Sequence, residues 1–282
     1  MRLRRLADGT IVRDENGSIA RLPFGSMAEL LRMRRSELED LLAGELPPTA
    51  DGPSLPPVDG RTEIWASGVT YLRSRTARME EASVPDVYDR VYAAERPELF
   101  FKSVAWRAVT DGDAVGIRED STWDVPEPEL AVVVNAYGEI VAFGICNDMS
   151  SRSIEGENPL YLPQAKVYAG ACAVGPALRP AWEIDHRDLA IRLRIERAGE
   201  VVFDEQTRTD QLARPVETLV SYLFRGDVFP DGAWLSTGTG IVPPDEFSLQ
   251  EGDVVDIEIT GLGRLRNTVY RGAGRWSGQE ER

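Results

Sequence analysis

Cysteine, histidine, clustered positive charge and long apolar runs are all scarce in this 282-residue chain, and each scarcity excludes something. Two cysteines, Cys146 and Cys172, both among apolar neighbours, are too few for a disulfide framework and point to a reducing compartment. No window approaches the ~20 apolar residues of a membrane span. The basic start Met1-Arg2-Leu3-Arg4-Arg5-Leu6 runs into Ala7-Asp8-Gly9 rather than an apolar stretch, so no signal peptide is expected and the expected setting is the cytoplasm. A formal net charge of −15 argues against nucleic acid or an anionic membrane as partner, since both need gathered Lys and Arg. The one histidine, His186, lies in the polar run Trp182-Glu183-Ile184-Asp185-His186-Arg187 and reads as a surface residue.

What is present is ordinary for a folded enzyme-sized chain: 42% hydrophobic and 28% charged residues, with enough length for one large domain and a smaller one. Residues 1–22 read as short strands turning at Asp8-Gly9 and Asn16-Gly17. Ser26 caps a helix expected over 27–43, which Gly44 ends. Residues 45–60 hold Pro47, Pro48, Pro53, Pro56 and Pro57 and read as an extended linker. This places a small N-terminal module at 1–62 and the main domain at 63–282. A strand is expected at 64–69, a helix at 83–94 with Pro85 in its first turn, strands at 131–134, 140–145, 189–195 and 254–259, and a helix at 216–224. The expected class is α+β, mostly β.

The chemistry concentrates in Asp124-Val125-Pro126-Glu127-Pro128-Glu129, just ahead of an apolar strand. Residues two apart in an extended chain share a face, so Glu127 and Glu129 project together and repel unless a cation lies between them. Pro126 and Pro128 donate no ladder hydrogen bonds, which puts the segment at a sheet edge or strand entrance. A hairpin turning near Tyr137/Gly138 then brings Glu129 opposite a position close to Asp148. Three carboxylates without His or Cys suit Mg²⁺, Mn²⁺ or Ca²⁺ and disfavour zinc; an octahedral ion keeps positions open for water and substrate.

Several separate motifs in order resemble the fumarylacetoacetate hydrolase superfamily over about residues 64–271: Glu127-Pro128-Glu129-Leu130, Asn147-Asp148-Met149-Ser150-Ser151-Arg152, Lys166, Val174-Gly175-Pro176, Leu235-Ser236-Thr237-Gly238-Thr239-Gly240, Glu251-Gly252-Asp253, Gly261-Leu262-Gly263 and Asn267-Thr268-Val269. The resemblance implies a mixed β-sandwich roll, a homodimer or homotetramer, and Mg²⁺ held by Glu127, Glu129 and Asp148, chelating a 2-oxo acid. A bound metal would also supply the positive charge that an acidic protein needs for an acidic substrate. The hydrolases of this superfamily carry a His, with a Glu three residues later, after a Gly-x-Asn-Tyr motif. In the matching stretch here, Gly68-Val69-Thr70-Tyr71-Leu72-Arg73-Ser74-Arg75-Thr76-Ala77, those places hold Ser74 and Ala77, neither of which takes a proton from water at neutral pH.

The stretches Glu95-Arg96-Pro97-Glu98-Leu99-Phe100-Phe101-Lys102 and Glu155-Gly156-Glu157-Asn158-Pro159-Leu160-Tyr161-Leu162-Pro163-Gln164-Ala165-Lys166 resemble a narrower branch, the 2-keto-3-deoxy sugar acid dehydratases. That branch implies loss of water from a 2-keto-3-deoxy-pentonate to give 2,5-dioxopentanoate, which needs no activated water. Lys166 is the candidate base at C3, since a nearby cation and burial both favour its neutral form, and Glu98 is the candidate acid. Arg73, Ser74, Arg75, Gln164, Tyr161 and the Gly-Thr-Gly loop at Thr239 are candidate substrate contacts. Two rival readings share the metal site: an acylpyruvate hydrolase or oxaloacetate-type decarboxylase, and a non-catalytic 2-oxo-acid-binding protein.

Overall fold

The computed structural model describes residues 1–74, 76 and 86–276. Their order follows the alternation of the sequence: two sheets whose inward residues recur every second position, stacked into a mixed β-sandwich roll. The central sheet runs Cys172–Val174, Ile140–Asp148, Pro128–Val134, Ala233–Ser236, Glu63–Gly68, Glu98–Val104, with Arg179–Pro180 also pairing with Ile140–Asp148. Only Ala233–Ser236 and Glu63–Gly68 lie parallel in it. The outer sheet runs Glu200–Arg208, Ala190–Arg197, Val254–Ile259, Gly263–Arg271, Ala114–Ile117. Leu130, Val132 and Val134 on one face of the hairpin pack against Ile191, Leu193, Val255, Ile257 and Leu265 of the outer sheet. Ala131, Val133 and Trp234 face the other way and share a second core with Leu3, Ile11, Leu30 and Leu38 of the N-terminal segment. Both faces of the central hairpin are covered, which explains its unbroken apolar run.

The N-terminal strands Arg2–Leu6, Ile11–Glu15 and Ser18–Arg21 form the expected meander, with Asn16 and Gly17 both at positive φ in the second turn. Residues 45–60 do more than link: Ser54–Leu55 adds an edge strand to this sheet, beside Arg2–Leu6. The helix expected over 27–43 is two helices, Met27–Leu30 and Arg35–Ala43. Ser26 caps the first through Glu29 N, and Gly44 is the C-cap of the second. The break has a tertiary cause. Leu31 O accepts from Ala136 N and Met33 O from Asn135 Nδ2, so carbonyls of the intervening turn bond the 135–139 hairpin turn instead of continuing a helix.

Arg32 and Arg61 close on the buried Asp231 and fasten the N-terminal segment to the approach of Ala233–Ser236. The helix expected at 83–94 appears as Asp86–Ala93; Ser83 and Pro85 lie outside the described residues. Val216–Leu223 matches the last expected helix. No described helix is long and apolar enough to cross a membrane.

Candidate metal centre

The hairpin Pro128–Val134/Ile140–Asp148 sets the site at the end away from its turn. Glu129 stands opposite Cys146, and Asp148 N donates to Glu127 O at 2.9 Å, so Asp148 lies across from Glu127. Odd positions on one strand and even positions on its partner share a face here, which turns all three acids to the same side. One carboxylate oxygen from each of Glu127, Glu129 and Asp148 lies within 4.8 Å of the others, and all three residues are buried. Oxygens bound to a single Mg²⁺ or Ca²⁺ lie up to about 4–5 Å apart, so the spacing and the hard, all-oxygen donor set fit such an ion. The Cys146 thiol is held well above its usual range by its neighbour Cys172 and by burial.

Three buried cations surround the cradle. Lys166 Nζ lies 2.6 Å from Glu127 Oε2 and 3.1 Å from Asp148 Oδ2. Arg152 reaches Glu127 Oε1 at 3.0 Å. Lys102 Nζ forms an ion pair with Asp148 Oδ1 at 2.6 Å and donates to Met149 O and Lys166 O at 2.9 and 2.6 Å. Among the described residues, Glu129 takes only neutral donors, Ser236 Oγ at 2.5 Å and Gly238 N at 2.7 Å. Burial, then the charges of Asp148 and Glu127, push its carboxyl well above the usual range. A divalent cation among the three is what makes an ionised Glu129 favourable there.

The cleft above the cradle is lined by Glu98, Phe100, Ser74, Glu155, Leu162 and Thr239, among others. The Lys166 ammonium lies 5.5 Å from the Phe100 ring centre. Among the expected site residues, Glu98, Lys166, Ser74 and Thr239 therefore gather with the three acids. Ser74 Oγ, however, donates to Tyr71 O and accepts from Tyr71 N, so it closes its own turn. In the Gly-Thr-Gly loop, Thr239 Oγ1 bonds within the loop to Ile241, and Gly238 N is spent on Glu129. Arg73, Gln164 and Tyr161 are solvent-exposed and are not among the residues that line the cleft. Period-two and helical spacing alone do not say which way these three turn. Arg75 lies outside the described residues. His186 sits away from the cleft, half-buried and stacked on Phe143 at 4.7 Å.

Val69, a cleft residue, is left-handed at φ 53°, which costs a β-branched residue about 1–2 kcal/mol. Thr70 holds the kink: its Oγ1 donates to Thr237 O at 2.6 Å and its O accepts from Ala213 N at 2.8 Å.

Lys102, Arg152, Glu155, Ser236 and Gly238 were not singled out from the sequence. For Lys102 the period-two signal is interrupted, since a register shift in the pairing with Glu63–Gly68 leaves Lys102 without a cross-strand partner. Arg152 and Glu155 are spaced by three on the short helix Arg152–Glu157.

The family model described as fumarylacetoacetate (FAA) hydrolase C-terminal matches residues 63–270. A probable 2-keto-3-deoxyxylonate dehydratase of Haloferax volcanii is 53% identical over 214 residues, 76% of this chain and 73% of that protein. A 2-dehydro-3-deoxy-D-arabinonate dehydratase of Saccharolobus solfataricus is 42% identical over 214 residues, 74% of this chain and 72% of its own length. Among solved structures, a 2-keto-3-deoxy-D-arabinonate dehydratase complexed with magnesium and 2,5-dioxopentanoate superposes with a TM-score of 0.85 at 34% identity, covering 96% of this chain and 99% of that one.

Proposed function

Because the chain belongs to the fumarylacetoacetate hydrolase family, we propose that it is a metal-dependent hydro-lyase that dehydrates a 2-keto-3-deoxy-pentonate to 2,5-dioxopentanoate. The observation that carries the reading is the buried Glu127–Glu129–Asp148 cradle with the Lys166 ammonium 2.6 Å from Glu127. The named activities of the dehydratase relatives and the magnesium and 2,5-dioxopentanoate of the solved structure support it.

Glu127, Glu129 and Asp148 hold the Mg²⁺, which supplies Lewis-acid polarisation of the 2-oxo acid's carboxylate and keto oxygens. Lys166, on the edge of that cradle, acts as its neutral amine, the form a divalent cation in the cradle would favour, and takes the proton from C3, the carbon next to the polarised carbonyl. Glu98, across on the strand Glu98–Val104, gives a proton to the departing C4 hydroxyl. One proton and one hydroxide leave as water, and tautomerisation through C5 yields the aldehyde. Arg152 holds Glu127 and Lys102 holds Asp148, so the cradle keeps its shape during the reaction. No residue is needed to activate water, which agrees with Ser74 standing where the hydrolases carry His.

Residues 1–62 act as a cap over the far face of the central sheet, and catalysis belongs to residues 63–282. The assembly is a homodimer or homotetramer in the cytoplasm. The solvent-facing Trp106 and Leu160, 79% and 83% exposed, support a further interface, and the two buried free cysteines support a reducing compartment.

The test is a panel of 2-keto-3-deoxy sugar acids, acylpyruvates and oxaloacetate, each incubated with the purified protein and Mg²⁺. Aldehyde formation without pyruvate or CO₂ is expected from the pentonates. Pyruvate from an acylpyruvate, or CO₂ from oxaloacetate, with no aldehyde from any sugar acid would overturn the proposal.

A further inference from the structure

Gly68 ends the strand Glu63–Gly68 directly opposite Glu98. Its backbone is not left-handed, so no conformational requirement explains a glycine there. A half-buried strand position ordinarily favours a residue with a side chain. The three atoms nearest to a Cβ on Gly68 would all belong to Glu98: Oε2 at 2.1 Å, Cδ at 2.8 Å and Cγ at 3.5 Å. The Glu98 carboxylate thus occupies the space that a side chain on its cross-strand partner would fill.

The backbone beneath it has little room to retreat. Val69 turns left-handed immediately after Gly68, and Thr70 is bonded to Thr237 O. The adjoining Gly238 is itself pressed against this segment, since a Cβ there would lie 2.0 Å from Thr70 Oγ1. Gly238 N in turn donates to the Glu129 carboxylate. One tight stack therefore runs from Glu98 through residues 68–70 and 237–238 to a ligand of the cradle.

We propose that Gly68 is a positioning residue, whose missing Cβ is the floor that holds the Glu98 carboxylate in the cleft. A methyl there meets the far end of a flexible side chain rather than packed backbone, so the carboxylate swings away and the fold stays intact. The loss falls on the chemistry. The proposal rests on the dehydration reading for its kinetic consequence, but not for its geometric one.

Two measurements on Gly68→Ala test it. A crystal structure of the variant is expected to show the Glu98 carboxylate displaced from its place over residue 68, with a melting temperature close to wild type. In a double-mutant cycle with Mg²⁺ and the pentonate substrate, Gly68→Ala is expected to lower kcat by about 10²-fold or more, the range lost with a positioned acid, and to change KM little. In a Glu98→Ala background the same change is expected to cost nothing further, because the clash partner is gone. An unmoved carboxylate in the variant, or an equal loss of kcat in both backgrounds, overturns the proposal. Should wild type turn over no sugar acid, the dehydration reading fails by itself, and the crystal structure still decides the role of Gly68.

Discussion

Among the three cradle acids, Glu129 is bonded by neutral donors alone among the described residues, whereas Glu127 and Asp148 each face ammonium or guanidinium groups. Its charge is the one most dependent on the metal, and protons compete with the metal for it as pH falls. Glu129→Gln keeps the size and the contact with Ser236 but removes that charge. Mg²⁺ affinity by calorimetry is expected to fall at least tenfold and metal-dependent turnover to vanish; wild-type affinity in the variant would count against the cradle. A second buried acid, Asp124, has its carboxyl pushed up to about 6 by burial, against 3.8 as the ordinary value. A raised pKa means the native state binds the proton more tightly, so the group's contribution to stability declines as pH rises from about 4 to about 6. Asp124→Asn mimics the protonated form. It is expected to exceed wild type by about 2–3 kcal/mol in urea unfolding at pH 7 and to show no gain near pH 4.

At the scale of elements, the site depends on how one strand, one hairpin and one short helix are tied together. Lys102 makes that tie, reaching from the strand Glu98–Val104 to Asp148 on the hairpin and to the carbonyl of Lys166 at the end of Leu162–Lys166. Replacing it with Met keeps the stem's bulk and leaves a buried Asp148 oxygen unpaired. Breaking a buried pair from one side costs about 3–5 kcal/mol, so Lys102→Met is expected to lower the midpoint of denaturant unfolding clearly. Added Mg²⁺ is expected to recover part of that loss by pairing with the stranded carboxylate; a variant as stable as wild type would show that the tie is dispensable. The hairpin itself was legible in advance, because proline-flanked acids followed by apolar alternation specify its face and its turn. The short helices 152–157 and 162–166 were not, since each is too brief for a helical period to declare itself.

For the molecule as a whole, an acidic surface and a cradle of three acids need a cation before an oxo-acid anion can settle. Metal and ligand are therefore expected to stabilise the protein together. With Mg²⁺ and oxalate, a mimic of the chelating head group, at about 100 times the apparent Kd, linkage supplies about 2.7 kcal/mol. For a chain of this size that raises Tm by roughly 4–5 °C. Oxalate in the presence of EDTA is expected to give no shift in the same thermal melt; an equal shift would detach the ligand from the metal.

The acids, their shared face and the oxygen-only donor set were determined by local chain geometry, and so were readable before any fold was known. Period two, two prolines and a turn of known length suffice to bring Glu127, Glu129 and Asp148 together. The family motifs extended that reading to Lys166 and Glu98. What tertiary structure alone decided is how these groups are surrounded. Lys102 and Arg152 became buried partners, the helix expected at 27–43 broke so that its carbonyls could meet the 135–139 turn, and Arg73, Tyr161 and Gln164 turned outward. Each of those outcomes depends on contacts between residues far apart in the chain, and such contacts leave no periodic signature in the sequence around either partner.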